Sequence, residues 1–420
     1  MTTPEVRSLR RRYHLLLALR FIPTGLLVTV FVLLMRQRGL TLAEIGLGTA
    51  AQGLVMLFLE LPSGGLADAL GRKPVLVLAG LFGLVSTAVL LLADTVVLLA
   101  VVAALQGVFR ALDSGPLQAW FIDASLLADP DSDIERDLAH ADVVICASIG
   151  VGALLGGLLV HIDVMGISPL ALPVMASGAV QVLGLFAVLS MMDEIRAGAG
   201  WVAARRAVGN VPGVIVEAVQ VIRASRLLMA LALGELLWGF GMLAFETLMP
   251  ARLAELRGGV DDAAALLGPA VTAAWILSAA GAAASPWLVR RFGSGWAGFG
   301  LRLAHGATVV GMGVAAGPTG LIVAYLATYW VHGATAPVHY GMVHRAVESR
   351  HRATVVSANS LTSQVGGAVS GIVLGALADA TSITTAMLVA AAVLAAAAPL
   401  YLVRAGRAGV SFWEGVPVNV

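Results

Sequence analysis

Charge is scarce in this chain: only 12% of its 420 residues are Asp, Glu, Lys or Arg. Soluble domains carry about a quarter. That deficit, with 59% hydrophobic residues and a mean hydropathy of +0.91, excludes an ordinary aqueous globular protein and indicates a membrane protein. One cysteine, Cys146, leaves no partner for an internal disulfide and no cysteine-rich metal site. A net charge of +1 gives no reason to expect nucleic acid or a strongly acidic partner. Lysine is almost absent, with arginine supplying 25 of the 26 basic residues. That usage, with abundant alanine, hints at a GC-rich bacterial genome. A cleavable leader is missing too. The basic start MTTPEVRSLRRRYHLLLALRF runs into apolar sequence as far as Met35 with no small-residue cleavage site, and reads as an uncleaved first span.

What is abundant is apolar sequence in helix-length windows. A helix needs roughly 20 apolar residues to cross a bilayer core. Twelve windows qualify, near 14–35, 42–67, 74–93, 96–119, 141–160, 170–191, 227–250, 263–288, 297–316, 318–341, 353–378 and 382–403. Lipid offers nothing to unpaired backbone groups, so windows of this length predict helices rather than barrel strands. The longest polar stretch separates the sixth window from the seventh. The expected organisation is a six-helix bundle over 1–192, a linker over 193–226 with amphipathic surface helices, and a second six-helix bundle over 227–420. Arginine placement orients the chain. With the N-terminus inside, the inner segments hold most of the cations, among them Arg7, Arg10, Arg11, Arg12, Arg72, Lys73, Arg290 and Arg291. The outer loops hold only Arg36, Arg38, Arg252 and Arg257. Both termini are therefore expected in the cytoplasm. The acidic stretch DPDSDIERDLAHAD at 129–142 reads as an inner loop.

The two halves echo each other. GALLGGLL, with Gly152, Gly156 and Gly157, matches GIVLGALA, with Gly371 and Gly375, and these small residues suit close helix packing. LADALGRK has a faded counterpart in LVRRFG at 288–293. Similar offsets suggest a duplicated six-helix unit.

The stretch SGGLADALGRKP at 63–74 interrupts the apolar run. It lacks the GxxxxGK[ST] spacing of a phosphate loop and has Pro74 where a hydroxyl should follow. Physically, Gly64 and Gly65 would allow two helices to approach closely, Gly71 permits a left-handed turn, and Asp68 can accept from the N-terminus of a neighbouring helix. The pattern Gly64, Leu66, Asp68, Gly71, Arg72, Lys73, Leu76 resembles the signature between the second and third helices of the major facilitator superfamily, with Ala69 replacing one arginine. LELPSG before it, and SRHRATVVS at 349–357, resemble a bacterial efflux branch. The resemblance implies an all-α integral membrane protein, twelve transmembrane helices in two pseudo-symmetric bundles, and no enzymatic activity. It also implies that Asp68 meets the eleventh helix and that Arg72 reaches an acidic residue after the fourth, a role Asp123 fits. Such a latch would hold the outward-facing state. Two positions depart from the family: Ala153 stands where antiporters carry proline, and Arg110-Ala-Leu-Asp113 only approximates the fourth-helix pattern.

Ionisable residues within spans indicate function. Arg20, Glu60, Arg110, Asp113, Glu235 and His332 are candidate proton or substrate groups. Arg110 and Asp113, three apart, could neutralise each other; Arg20 either faces a cavity or snorkels. Glu246, within a turn of the expected end of the seventh span, reads as solvated. His332 either titrates or packs. Asn359, Ser360, Ser363 and Gln364 are cavity polars or helix-to-helix hydrogen-bonding groups, and Trp238, Phe240 and Phe245 line a pocket or pack. His339, His344 and His351 do not share a helix face, so no metal is expected, and nothing calls for a cofactor. The expectation is a monomeric alternating-access transporter in a bacterial plasma membrane, exporting small amphipathic organic compounds against protons. A symporter or facilitator importing a nutrient is the alternative.

Overall fold

The computed structural model describes residues 4–194, 200, 209, 213, 216, 219–347 and 352–404, with the side chains of Pro4, Leu61, Asp68 and residues 352–354 outside that description. Most of the linker, including the stretches expected as amphipathic helices, lies outside it as well, as does His351.

Apart from one isolated bridge between Val164 and Ile167, the described chain is helical. Twelve helical segments run in order: α1 (Pro4–Val28, continued by Phe31–Gln37), α2 (Leu42–Leu70), α3 (Arg72–Leu90), α4 (Val96–Asp113, resumed as Pro116–Ala128), α5 (Ile134–Leu159) and α6 (Leu172–Met191). The second set is α7 (Arg226–Leu243, continued to Arg257), α8 (Val260–Phe292), α9 (Ser294–Val314), α10 (Pro318–Ala346), α11 (Arg352–Ala380) and α12 (Ile383–Ala396). Eleven of the described helices are long and apolar enough to cross a membrane; α9 falls outside that set. Its length is sufficient, but it carries Arg302 and His305, whose side chains are shielded by neighbouring helices. This is a multi-pass membrane protein.

Local chemistry explains where the helices depart from the expected windows. Helix α5 begins at Ile134, inside the stretch expected as a loop, because the Asp133 side chain accepts from Arg136 N at 3.0 Å and caps the first turn. Asp137 is fully buried there against Arg10 at 2.6 Å. Helix α4 breaks at Ser114 and Gly115, where Gly115 has φ +113° and Pro116 opens the next segment. Pro250 has no N–H to return to Glu246, and the ladder before it widens into a π turn over Ala244–Leu248.

Helices pack in the same pattern in each set of six. α1 lies on α5 and α6, α2 on α4, and α3 on α4 and α6; correspondingly α7 lies on α11 and α12, α8 on α10, and α9 on α10 and α12. The most extensive contacts between the sets are α2 with α11 and α5 with α8, and the Phe31–Gln37 part of α1 also meets α8 and the Met249–Arg257 part of α7. Glycines allow these approaches. A Cβ at Gly152 would collide with the Ile22 carbonyl on α1, and Gly156 faces Leu26 and Thr29. Gly157 meets Gly268 across the α5–α8 contact, Gly371 meets Gly46 across α2–α11, and Gly375 meets Leu42 and Ala43.

The ends of the molecule differ. The far end is the end bearing the α1–α2 turn at Arg38; the basic end bears the α2–α3 turn at Gly71. One large buried cluster, including Leu33, Met35, Ile45, Leu248, Leu267 and Leu374, draws on both sets and closes the far end. The remaining buried clusters each lie within one set, so among the described residues no buried cluster joins the sets at the basic end.

Replacing Gly152 with leucine should cost ~1–3 kcal/mol of overpacking and lower the thermal unfolding midpoint in detergent. Gly64→Leu, whose Cβ meets nothing within 4 Å, should leave the midpoint unchanged. Equal losses would contradict this packing.

Candidate substrate cavity and gating residues

A cavity of about 430 Å³ lies between the two sets of helices, beneath the far-end cluster. Its first-set wall carries Arg20 on α1, Gln52 on α2, and Gln106, Arg110 and Asp113 on α4. Its second-set wall carries Glu246 and Thr247 on α7 and Gln364 on α11. Leu27, Phe31, Leu99, Met242 and Leu243 make the surface between them apolar. This mixture of apolar wall and few polar groups is the usual make-up of a small-molecule site.

The pairing of charges differs from the sequence expectation. Asp113 does not neutralise Arg110. It forms an ion pair with Arg20, whose guanidinium also lies 4.9 Å from the Phe109 ring centroid. Asp113 is the last residue of the first part of α4, and its carboxylate turns to Arg20 on α1 rather than back along its own helix to Arg110. Among the described residues Arg110 makes no ion pair or hydrogen bond, and it is within electrostatic reach of Glu60 and Glu246. Glu246 is likewise unpaired. Expected as a solvated residue near a helix end, it instead sits in the π turn, because α7 continues as far as Arg257. Glu60 is half-buried on α2, and its Oε2 has no hydrogen-bond partner.

A second polar constellation is buried inside the second set, away from the cavity. Arg302 donates from Nη2 to Glu235 Oε1 at 3.3 Å, and from Nε and Nη2 to Tyr401 Oη at 3.1 and 2.7 Å. Those two bonds fill the Tyr401 lone pairs, so its own proton goes to His339 Nδ1 at 2.8 Å. His339 is then the Nε2–H tautomer, with that hydrogen directed towards Glu235 Oε1 at 3.4 Å. The Asn359 amide nitrogen is 2.9 Å from Nε2, and an amide flip that presents the oxygen completes the network. Glu235 and Asn359 are therefore held behind the cavity wall, whereas Gln364 lines it. His332 packs on Trp238, with ring centroids 5.5 Å apart.

At the basic end, Gly71 adopts φ +96° between α2 and α3. Arg72 pairs with Asp123 at 2.8 Å. Glu194 accepts from Arg72 N and Lys73 N at 3.3 and 2.9 Å, and Lys73 Nζ donates to Leu189 O at 2.8 Å. These contacts tie the turn to its own half. Gly64, expected at a close helix approach, faces open space: among the described residues a Cβ there would meet nothing within 4 Å. The Asp68 side chain lies outside the described residues.

At the far end a carboxylate performs the corresponding task between the sets. Asp379, near the end of α11, accepts from Leu42 N and Ala43 N at 3.1 and 2.7 Å. Thr41 and Glu44 complete a capping box, so the opening amides of α2 are all satisfied. Sequence reasoning missed Asp379, Arg302, His305 and Tyr401. The signal for Asp379 was present: α2 ends in GGLADA at 64–69 and α11 in GALADA at 375–380. Arg302 falls in the ninth window, where its local sequence does not distinguish it.

Twelve helices in two similarly packed sets around a mid-chain cavity define a membrane transporter. The family model of the Major Facilitator Superfamily matches residues 14–331, and the chain belongs to that superfamily. No curated protein sequence matches it. Among solved structures it is similar to the nucleoside transporter NupG, at TM-score 0.76 and 14% identity, covering 94% of this chain and 98% of that one. It is also similar to a bacterial homologue of the human lysosomal transporter Spinster, inward-facing and unoccupied. That match has TM-score 0.77 and 16% identity over 96% of this chain and 97% of that one. A POT family transporter in complex with 5-aminolevulinic acid matches at TM-score 0.69 and 12% identity, over 94% and 95% of the two chains.

Asp113→Asn should strand the guanidinium of Arg20, whose side chain is 21% exposed. Removing one partner of a partly buried pair costs ~1–3 kcal/mol, read as a lower unfolding midpoint. The double variant R20L/D113L should recover most of that loss. A double variant as unstable as D113N would reject the pair as the cause.

Proposed function

We propose that this chain is a proton-coupled exporter of small amphipathic organic compounds, working as a monomer in a bacterial plasma membrane with both termini in the cytoplasm. Residues 1–192 and 227–420 act as two rigid bundles joined by the linker at 193–226. The cavity carries this reading: it is walled by both sets, sealed at the far end and, among the described residues, covered by no buried cluster joining the sets at the basic end. With the arginine-rich side in the cytoplasm, this is an inward-facing arrangement. Rocking the bundles about the α2–α11 and α5–α8 contacts would turn the same cavity outward. Asp68 is then the latch of the outward-facing state, as the superfamily resemblance implies, while Arg72 and Asp123, already paired within the first set here, hold its turn in place.

Proton coupling needs a carboxylate exposed to both sides in turn. Asp113 and Glu246 line the cavity, Glu60 lies within electrostatic reach of its Arg110, and these suit that task; Glu235, held behind the cavity wall, does not. Protonation favours one facing state and substrate the other, and each shifts the equilibrium only by its differential affinity. The second reading, import by symport or facilitation, is left open by Ala153, where antiporters of the superfamily usually carry proline.

Everted membrane vesicles carrying the protein should accumulate a hydrophobic dye or drug when their lumen is acidified, and Glu60→Gln should abolish the dependence on the proton gradient. Uptake by intact cells without accumulation in everted vesicles would reject export. Unchanged pH dependence in the variant would reject Glu60 as the carrier.

A further inference from the structure

The cavity holds two kinds of charge on opposite walls. Arg20 is committed to Asp113, which leaves Arg110 as the unpaired cation of the first set. Glu246 is the one charged side chain lining the second-set wall, held there by the π turn. Both are exposed into the cavity, within electrostatic reach of each other, and among the described residues neither makes an ion pair or hydrogen bond. A ligand of one charge sign would pair with one group and be repelled by the other in a largely apolar site. We infer that the transported compound is a small zwitterion with an apolar body, its anionic group on Arg110 and its cationic group on Glu246. This rests on the transport reading above and narrows it. The glutamines Gln52, Gln106 and Gln364 offer both donors and acceptors to the remaining polar atoms. Because its charges would bridge the two bundles, such a ligand would favour closure around itself, which is what a translocated substrate must do.

Calorimetry on the full chain in lipid nanodiscs tests this with four probes on one indole frame, differing in which charged groups they carry: tryptophan, tryptamine, indolepropionate and ethylindole. Tryptophan should bind at least about tenfold more tightly than any of the others, the ratio one lost charged contact produces. Arg110→Gln should erase its advantage over tryptamine, and Glu246→Gln its advantage over indolepropionate. Equal binding of either singly charged probe overturns the inference. Indolepropionate that binds as well as tryptophan only when protons are taken up would assign Glu246 to the proton instead. Failure of tryptophan to bind also overturns it. Transport of the lipophilic cation tetraphenylphosphonium by the same protein in liposomes would then show that the transporter reading survives. Absence of any transport in that assay as well would show that both have failed.

A separate observation carries a second inference. Helices α2 and α11 pack together, and both end in Leu-Ala-Asp-Ala, α2 at the basic end and α11 at the far end. At the far end Asp379 accepts from both opening amides of α2. We propose that Asp379 is a far-end latch that holds the arrangement seen here, and that it is released when the far end opens. A carboxylate at a helix N-terminus acts through the backbone dipole as well as through hydrogen bonds. The amide of Asp379→Asn keeps one acceptor and loses the charge. Spin labels at Leu47 on α2 and Val373 on α11, both exposed, report this contact in a cysteine-free background. D379N should lengthen the interlabel distance in a larger fraction of molecules, while Asp68→Asn should shorten it. An unchanged distribution in D379N, alongside an unfolding midpoint equal to the wild type, would overturn the latch.

Discussion

Lipid gives no hydrogen bonds to a bare peptide group, and the architecture follows from that constraint. Inside each helix the ladder satisfies the backbone, so only helix ends and helix breaks present free N–H and C=O groups. Those are the places where this chain puts its chemistry. Asp379 caps α2, Glu194 caps α3, and Arg38 gathers the carbonyls of Leu90, Leu91 and Ala93 at the end of α3. The break in α4 and the π turn in α7 flank the cavity and carry Asp113 and Glu246 into its wall.

A bilayer also supplies no hydrophobic force between helices, so close packing must come from small residues. Glycine pairs mark the two most extensive contacts between the sets, Gly46 with Gly371 and Gly157 with Gly268. Contacts made through backbone, with few interlocking side chains, suit surfaces that must roll against each other. The buried network of Glu235, Arg302, His339, Asn359 and Tyr401 does the opposite. It joins side chains from α7, α9, α10 and α11 and the residues after α12 by directional bonds, and so makes the second set a unit.

Much of the fold was legible because hydropathy is a one-dimensional property. All twelve windows became helices, and the ends shifted where a cap or a proline intervened, as at Asp133 and Pro116. The site was legible in part. Arg20, Arg110, Asp113 and Gln364 are in the cavity wall, whereas Glu235 and Asn359 are buried within the second set and His332, part-buried, stacks on Trp238. Residue type identifies an ionisable group inside a span, but it does not say whether that group faces cavity or protein. Arg302 illustrates the difference: it is 1% exposed and bonded, although its sequence surroundings resemble those of Arg20.

The sequence alone determined the membrane class, the span count, the superfamily pattern around Gly71 and the small-residue faces, since composition and spacing carry each of these directly. Tertiary structure decided which charges meet. Asp113 chose Arg20 over its helical neighbour Arg110, Glu246 turned from a helix end into a cavity wall, and Asp379 found the start of a helix more than three hundred residues earlier. Partner choice across helices depends on distance in space, and a run of apolar residues with occasional charges does not encode that locally.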